Sequence, residues 1–161
     1  MIKIDVKSRK YNLSLTIHQK MTIIRGDSGV GKSQFTFAAA DVSGAYKIQL
    51  SDNQYRLEVP SDKSWYNTIS RNIEHKDKCI YIIDDADYIT SKEFAALFMS
   101  DHYSFYICIN RFSEISPRGL GRFPFSVDEV YSFCSRGNYH YLTPYYPSCD
   151  IDYSTSYFKN S

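Results

Sequence analysis

Two short stretches near the start of the chain, residues 2–6 and 13–17, alternate apolar and polar side chains. Because successive side chains of a strand point to opposite faces, this spacing predicts two strands, and the polar stretch Lys7–Asn12 between them predicts a hairpin. The stretches Tyr46–Leu50 and Tyr55–Val59 alternate in the same way around a turn-prone Ser-Asp-Asn sequence. They predict a second hairpin.

Three further segments are predicted strands: the short apolar run Met21–Arg25, the continuous apolar run Cys79–Ile83, and Tyr103–Ile109. The pattern of Cys79–Ile83 is that of a strand buried on both faces. The first of the three segments leads through a glycine-rich stretch into Lys32–Ala40, which contains only residues that a helix accepts. A last strand is predicted over Tyr139–Tyr145.

Three further helices follow from spacing and capping signals. An apolar residue recurs every four positions between Trp65 and His75, which predicts one helical face. Capping-box spacing in Thr90–Glu93 and again in Ser126–Glu129 predicts two more helix starts. The second of these short helices would carry Val130 and Phe133.

Strands that alternate with helices predict an α/β fold in three layers, with a mostly parallel sheet, helices on both faces and antiparallel hairpins at the edge. The length of 161 residues suits one domain. We assign this domain to residues 1–146. Residues 147–161 are polar and aperiodic, and we expect them to form a separate tail.

Composition narrows the classes of partner. The net charge is +1, so a nucleic-acid partner is not indicated, because such partners call for a broad positive field. No apolar run reaches the roughly 20 residues of a membrane span, and the alternating start differs from a secretory signal, so a cytoplasmic location without membrane contact is expected. The 15 tyrosines fit a protein partner or self-association, since tyrosine is enriched at interfaces, and they fit a plain compositional bias equally well.

The strongest chemical signal is the segment GDSGVGKS at 26–33, which has the spacing G-x-x-x-x-G-K-S after a predicted strand and before a predicted helix. Glycines permit positive φ and close approach of phosphate, and consecutive backbone N–H groups form an anion nest at the helix start. Lys32 is expected to neutralise the β- and γ-phosphates and Ser33 to bind Mg²⁺. The residues expected to hold the nucleotide are Gly26, Asp27, Ser28, Gly29, Val30, Gly31, Lys32, Ser33 and Gln34.

A second signal is IYIIDDAD, in which an apolar strand ends in a cluster of carboxylates. Asp84 is the expected ligand on the Mg²⁺ side. Asp85 follows at the position of a carboxylate that polarises the attacking water, and Asp87 is an alternative candidate. Both of these aspartates also suit a plain turn or helix cap.

A third signal is Asn110-Arg111 at the end of the next apolar run. Asn110 is a candidate for orienting the lytic water or contacting the γ-phosphate, although asparagine after a strand is also a common turn residue. Arg111, Arg118 and Arg122 lie in or beside a glycine- and proline-marked loop, where arginine is a further candidate for phosphate contact.

In this order GDSGVGKS, IYIIDDAD and ICINR resemble the P-loop NTPases of the additional-strand division, which include the ABC-type and AAA-type proteins. The resemblance implies the three-layer P-loop NTPase fold, with ATP and Mg²⁺ as ligands. The chain has no LSGGQ-like signature and no segment for a helical lid, so it is similar to a reduced, stand-alone member. RGDSGVGKS with FPFSVDEVY also resembles small uncharacterised ATP-binding proteins of bacterial genomes and mobile elements.

Three functions are compatible with these signals. The first is slow, Mg²⁺-dependent ATP hydrolysis that switches the affinity for a protein partner, with Lys32, Asp85 and Asn110 as the catalytic residues. The second is a small kinase that moves the γ-phosphate to a metabolite or nucleotide. The third is a nucleotide-binding interaction module without turnover. ATP is favoured over GTP because no D-x-x-G or NKxD-like element is present.

Overall fold

The structure is a computed structural model, and it describes residues 1–25, 31–109 and 129–144. Within these ranges the chain forms nine strands, three α-helices and one short 3₁₀ segment, Asp87–Thr90. The strands are β1 (Ile2–Lys7), β2 (Asn12–Ile17), β3 (Met21–Arg25), β4 (Lys47–Leu50), β5 (Arg56–Glu58), β6 (Cys79–Asp84), β7 (Phe105–Ile109), β8 (Glu129–Arg136) and β9 (Tyr139–Pro144). The helices are α1 (Lys32–Ala40), α2 (Trp65–Glu74) and α3 (Lys92–Ser100).

All nine strands belong to one sheet, in the order β4-β1-β2-β9-β8-β3-β7-β6-β5. The five strands β8, β3, β7, β6 and β5 run parallel to one another. Three pairings are antiparallel, namely β1 with β2, β1 with β4, and β8 with β9. A short parallel pairing of β9 with β2 joins the two parts of the sheet.

Two apolar clusters cover the two faces of the sheet. In β6, Ile80 and Ile82 belong to the cluster that contains Phe35 of α1, whereas Tyr81 and Ile83 belong to the cluster of α2 and α3. The continuous apolar run of β6 is therefore explained by burial on both faces, as the sequence predicted. The first cluster also takes in side chains of β1, β2, β4 and β5, so this face of the sheet wraps around α1.

The prediction of a three-layer α/β P-loop fold with a mostly parallel sheet is wrong. Strand residues predominate, and the mixed sheet curls into a nearly closed, barrel-like form. The physical reason lies in β9, which returns antiparallel to β8 and inserts beside β2. The opening hairpin is consequently built into the sheet instead of being added at its edge.

The predicted second hairpin is also wrong. β4 pairs with β1, and β5 pairs with β6 at the opposite end of the strand order. Alternation of apolar and polar residues identified both strands, but it carries no information about the partner of a strand.

The prediction of a helix from the capping-box match Ser126–Glu129 is wrong as well. Residues from Glu129 onward form β8, and Val130 and Phe133 lie on that strand. Valine, tyrosine and phenylalanine in this stretch favour a strand, and pairing with β3 and β9 outweighs the local capping signal.

Within the described ranges, no helix has both the length and the apolar character needed to cross a membrane.

Candidate functional site

The ends of three parallel strands meet at one edge of the sheet. Ile109, the last residue of β7, is in register with Ile24 of β3 on one side and with Asp84 of β6 on the other. Because the strands run parallel, the segments that leave them start side by side. The glycine-rich segment, the acidic segment and the segment beginning at Asn110 therefore depart from neighbouring points.

Several predicted site residues lie outside the described ranges. For the phosphate-binding segment these are Gly26, Asp27, Ser28, Gly29 and Val30, and further along the chain they are Asn110, Arg111, Arg118 and Arg122. The tail from 147 to 161 lies outside as well. The described part of the site consists of Gly31 to Gln34, Asp84, Asp85 and Asp87.

The first helical turn of α1 presents the residues that follow the glycine-rich segment. Gly31 caps α1 with φ of 98°, and its carbonyl accepts the first helical hydrogen bond from the Phe35 N–H at 3.2 Å. Lys32 is only 4% exposed, whereas Ser33 and Gln34 are exposed. Ser33 is therefore accessible to solvent at the start of the helix.

Gly31 rests on two rings that come from distant parts of the chain. The Tyr11 hydroxyl donates a hydrogen bond to the Gly31 carbonyl at 2.9 Å. The ring of His140 lies over that of Tyr11, with centroids 4.6 Å apart. A Cβ added to Gly31 would lie 3.0 Å from His140 Cε1 and 3.3 Å from Tyr11 Cε1, so no larger residue fits without displacing the rings.

His140 is itself held by its neighbours. Its Nδ1 is 2.7 Å from Ser135 Oγ, and its ring packs 5.5 Å from that of Phe133. Burial lowers the pKa of His140 from its ordinary value, because the charged imidazolium would lose its hydration. We expect a neutral ring beneath Gly31 at pH 7.

Asp84 is tied to α1 by a side-chain contact. The Thr36 hydroxyl donates a hydrogen bond to Asp84 Oδ2 at 3.0 Å. Thr36 lies one helical turn after Ser33, so it is on the same side of α1. The acidic end of β6 and the first turns of α1 are thus in direct contact.

Asp85 adopts an unusual backbone conformation at the same edge. Its φ is 58°, a left-handed value that aspartate tolerates better than most residues. Its N–H donates a hydrogen bond to the carbonyl of Ile109 at 2.8 Å. The chain at Asp85 is therefore joined to the residue that immediately precedes Asn110.

Asp87 begins the 3₁₀ segment and is exposed, which suits a solvated turn residue. The next residue, Tyr88, stacks on Trp65 at the start of α2, with ring centroids 4.3 Å apart and planes 4° apart. The acidic segment is in this way connected to α2 within four residues of Asp84.

Comparison with known proteins does not assign this chain to a family. No protein-family model matches the chain, and no curated protein is significantly similar to it in sequence. Among the described residues, no group of three or more histidine, cysteine, aspartate or glutamate side chains is arranged to hold a metal ion.

Three residues of the site were missed by the sequence analysis: Thr36, Tyr11 and His140. The position of Thr36, one turn after Ser33, is a signal that was available. Tyr11 and His140 are 129 positions apart in numbering, and only the pairing of β2 with β9 brings them together.

The two rings beneath Gly31 give a stability prediction with a matched control. Gly44 also has a positive φ, of 85°, but an added Cβ there would meet nothing within 4 Å. We expect Gly44→Ala to lower the free energy of unfolding by about 1–2 kcal/mol through backbone strain alone. Gly31→Ala should lower it by about 1–3 kcal/mol more, because the rings must also move. Urea denaturation measures both, and equal losses would contradict the packing described here.

His140 gives a prediction for pH dependence. Its pKa is lowered in the folded protein, so below the ordinary histidine pKa of about 6.5 the unfolded chain takes up a proton more readily than the folded one. Stability should therefore fall as the pH drops from 7.5 to 5.5. Thermal unfolding should show a smaller fall in His140→Phe, whereas His75→Gln, at an exposed histidine, should behave as the wild type. A His140→Phe variant with the full pH dependence would contradict this.

Proposed function

We propose that this chain binds ATP with Mg²⁺ at the start of α1 and hydrolyses it slowly, as a conformational switch for a protein partner. The observation that carries the proposal is the hydrogen bond from Thr36 to Asp84. This bond holds the carboxylate of the acidic segment IYIIDDAD against α1, the helix that follows the glycine-rich segment GDSGVGKS. Two separate sequence signals therefore meet in one place, which an accidental motif match does not explain.

The residues present fit a magnesium ion. Mg²⁺ at phosphate sites takes hard oxygen ligands, commonly one or two from the protein, with phosphate and water oxygens completing the shell. The hydroxyl of Ser33, an exposed residue, and the carboxylate of Asp84, a half-buried one, have this chemistry. When bound, the ion would neutralise charge on the β- and γ-phosphates. The Thr36 hydroxyl would hold Asp84 in the orientation that the ion needs.

The phosphates would be held by the helix start and by one cation. The helix dipole favours an anion at the N-terminus of α1, and the positive φ of Gly31 turns the backbone into the helix there. Lys32 is the first residue of α1. Its ammonium group would neutralise the terminal phosphates.

Hydrolysis would rest on Asp85, and Asn110 is the second candidate from the sequence. In this proposal the Asp85 carboxylate orients a water molecule and accepts its proton during attack on the γ-phosphorus, as ADP leaves. A hydrogen bond from Asp85 N–H to the carbonyl of Ile109 joins Asp85 to the residue that precedes Asn110 in the chain. The left-handed backbone at Asp85 is of the kind that concentrates at functional sites.

The switch would act through the acidic segment. Loss of the γ-phosphate would release contacts near Asp85, and the chain leads from there into the 3₁₀ segment. The stack of Tyr88 on Trp65 offers a route to α2. Tyr66 of α2 and Met99 of α3 are exposed, which gives this side of the molecule a surface suited to a partner.

The direct test compares two lysines that occupy the same helical position. Lys32 is the first residue of α1, and Lys92 is the first residue of α3. By calorimetry with Mg²⁺ and ATP, Lys32→Ala should bind roughly 10- to 100-fold more weakly, the loss expected for one charged hydrogen-bonded contact. Lys92→Ala should bind as the wild type does. Wild-type protein that gives no binding heat would refute the proposal.

Phosphate release by the same samples separates the three functions. Slow release by the wild type with ATP and Mg²⁺ alone, reduced in Asp85→Ala, supports the hydrolytic switch. Phosphate transfer that needs a small acceptor would indicate the kinase, and tight binding without turnover would indicate the interaction module.

The contact of Thr36 with Asp84 gives a further prediction. Thr36→Val keeps the shape of the side chain but removes the donor. We expect Mg²⁺-dependent phosphate release to fall roughly 3- to 10-fold, as for the loss of about 1 kcal/mol of transition-state stabilisation. Thr68→Val, at a half-buried helical threonine of α2, is the control and should leave release unchanged. Equal rates for the two variants would show that Asp84 does not depend on Thr36.

A further inference from the structure

A cavity of about 580 Å³ opens beside α1. Its volume lies within the range of roughly 300–1,000 Å³ found for small-molecule sites. Three parts of the chain form its walls: the exposed side of α1, the turn between β1 and β2, and the segment before β4. The lining residues that matter here are Arg9, Lys10, Gln34, Phe37, Asp41 and Tyr46.

Two aromatic rings form one side of this cavity. Phe37 is 62% exposed, which leaves a large apolar ring facing solvent on α1. The ring of Tyr46 meets it edge-on, with centroids 6.1 Å apart and planes at 77°. Aromatic surfaces left open in this way suit a flat ring system that stacks on them.

The cavity adjoins the proposed phosphate site. Gln34 directly follows Ser33, and its side-chain amide donates a hydrogen bond to the Tyr46 hydroxyl at 3.3 Å. Phe37 is one turn further along α1, about 4.5 Å along the helix axis. A ligand with phosphates at the start of α1 would therefore have its remaining part within reach of both rings.

The rim of the cavity is polar. Arg9 and Lys10 line it from the β1–β2 turn, and Asp41 lines it from the end of α1. Guanidinium and ammonium groups are donors, and the carboxylate is an acceptor, so both kinds of partner for ribose hydroxyls and base edges are present.

We propose that this cavity holds the nucleoside part of the nucleotide, with the base against Phe37 and Tyr46 and the ribose toward Gln34. The inference rests on the proposed function and extends it from the phosphates to the base. Affinity at this site then has two separable parts, one from the phosphates and one from the base.

Inorganic tripolyphosphate and ATP separate these two parts, because tripolyphosphate carries no base. Calorimetry with Mg²⁺ should show that the wild type binds ATP more tightly than tripolyphosphate. Phe37→Ala and Tyr46→Leu should each weaken ATP binding about 5- to 30-fold, as for the loss of stacking on one base. Both variants should bind tripolyphosphate as the wild type does, which also shows that they are folded.

Tyr103→Leu is the matched control for Tyr46→Leu, since Tyr103 is also a half-buried tyrosine and lies before β7, outside the cavity. It should bind both ligands normally. Unchanged ATP affinity in Phe37→Ala and Tyr46→Leu, or equal wild-type affinity for the two ligands, would overturn the base site and leave the phosphate site standing. Wild-type protein that binds neither ligand would overturn the proposed function and this inference with it.

Discussion

The contact of Gly31 with the Tyr11–His140 ring pair is the constraint on which the rest of the site depends. It joins the start of α1 to the two strands that make the sheet mixed, because Tyr11 precedes β2 and His140 lies on β9. Only a residue without a Cβ, at a positive φ, fits above the rings. The antiparallel part of the sheet thus supplies the two rings that support the start of α1, where phosphate would bind.

The parallel part of the sheet supplies the remaining groups. β7 lies between β3 and β6, and its last residue is in register with both neighbours. This arrangement explains how Asp84 reaches Thr36 and how Asp85 is joined to the residue before Asn110. The same acidic segment continues to the Trp65–Tyr88 stack on α2, so nucleotide chemistry and a partner surface would be linked through a few residues.

Much of the local secondary structure could be predicted from the sequence, but most of the strand pairing could not. Met21–Arg25 and Lys32–Ala40 were confirmed with the predicted bounds, because apolar runs and helix-compatible residues report on local structure. The partners of β4 and β5, the strand at Glu129–Arg136 and the mixed sheet depend on contacts between distant segments, which periodicity does not encode. For the same reason Asp84 could be proposed from its strand context, whereas Tyr11 and His140 could not be proposed at all.

The most direct measurement is a crystal structure of the protein with Mg²⁺ and a non-hydrolysable ATP analogue. This account predicts phosphates at the N-terminus of α1 in contact with Lys32, a magnesium ion bound between Ser33 and Asp84, and Gly31 still resting on Tyr11 and His140. A nucleotide bound elsewhere on the surface, or a magnesium ion held without Ser33 and Asp84, would contradict it.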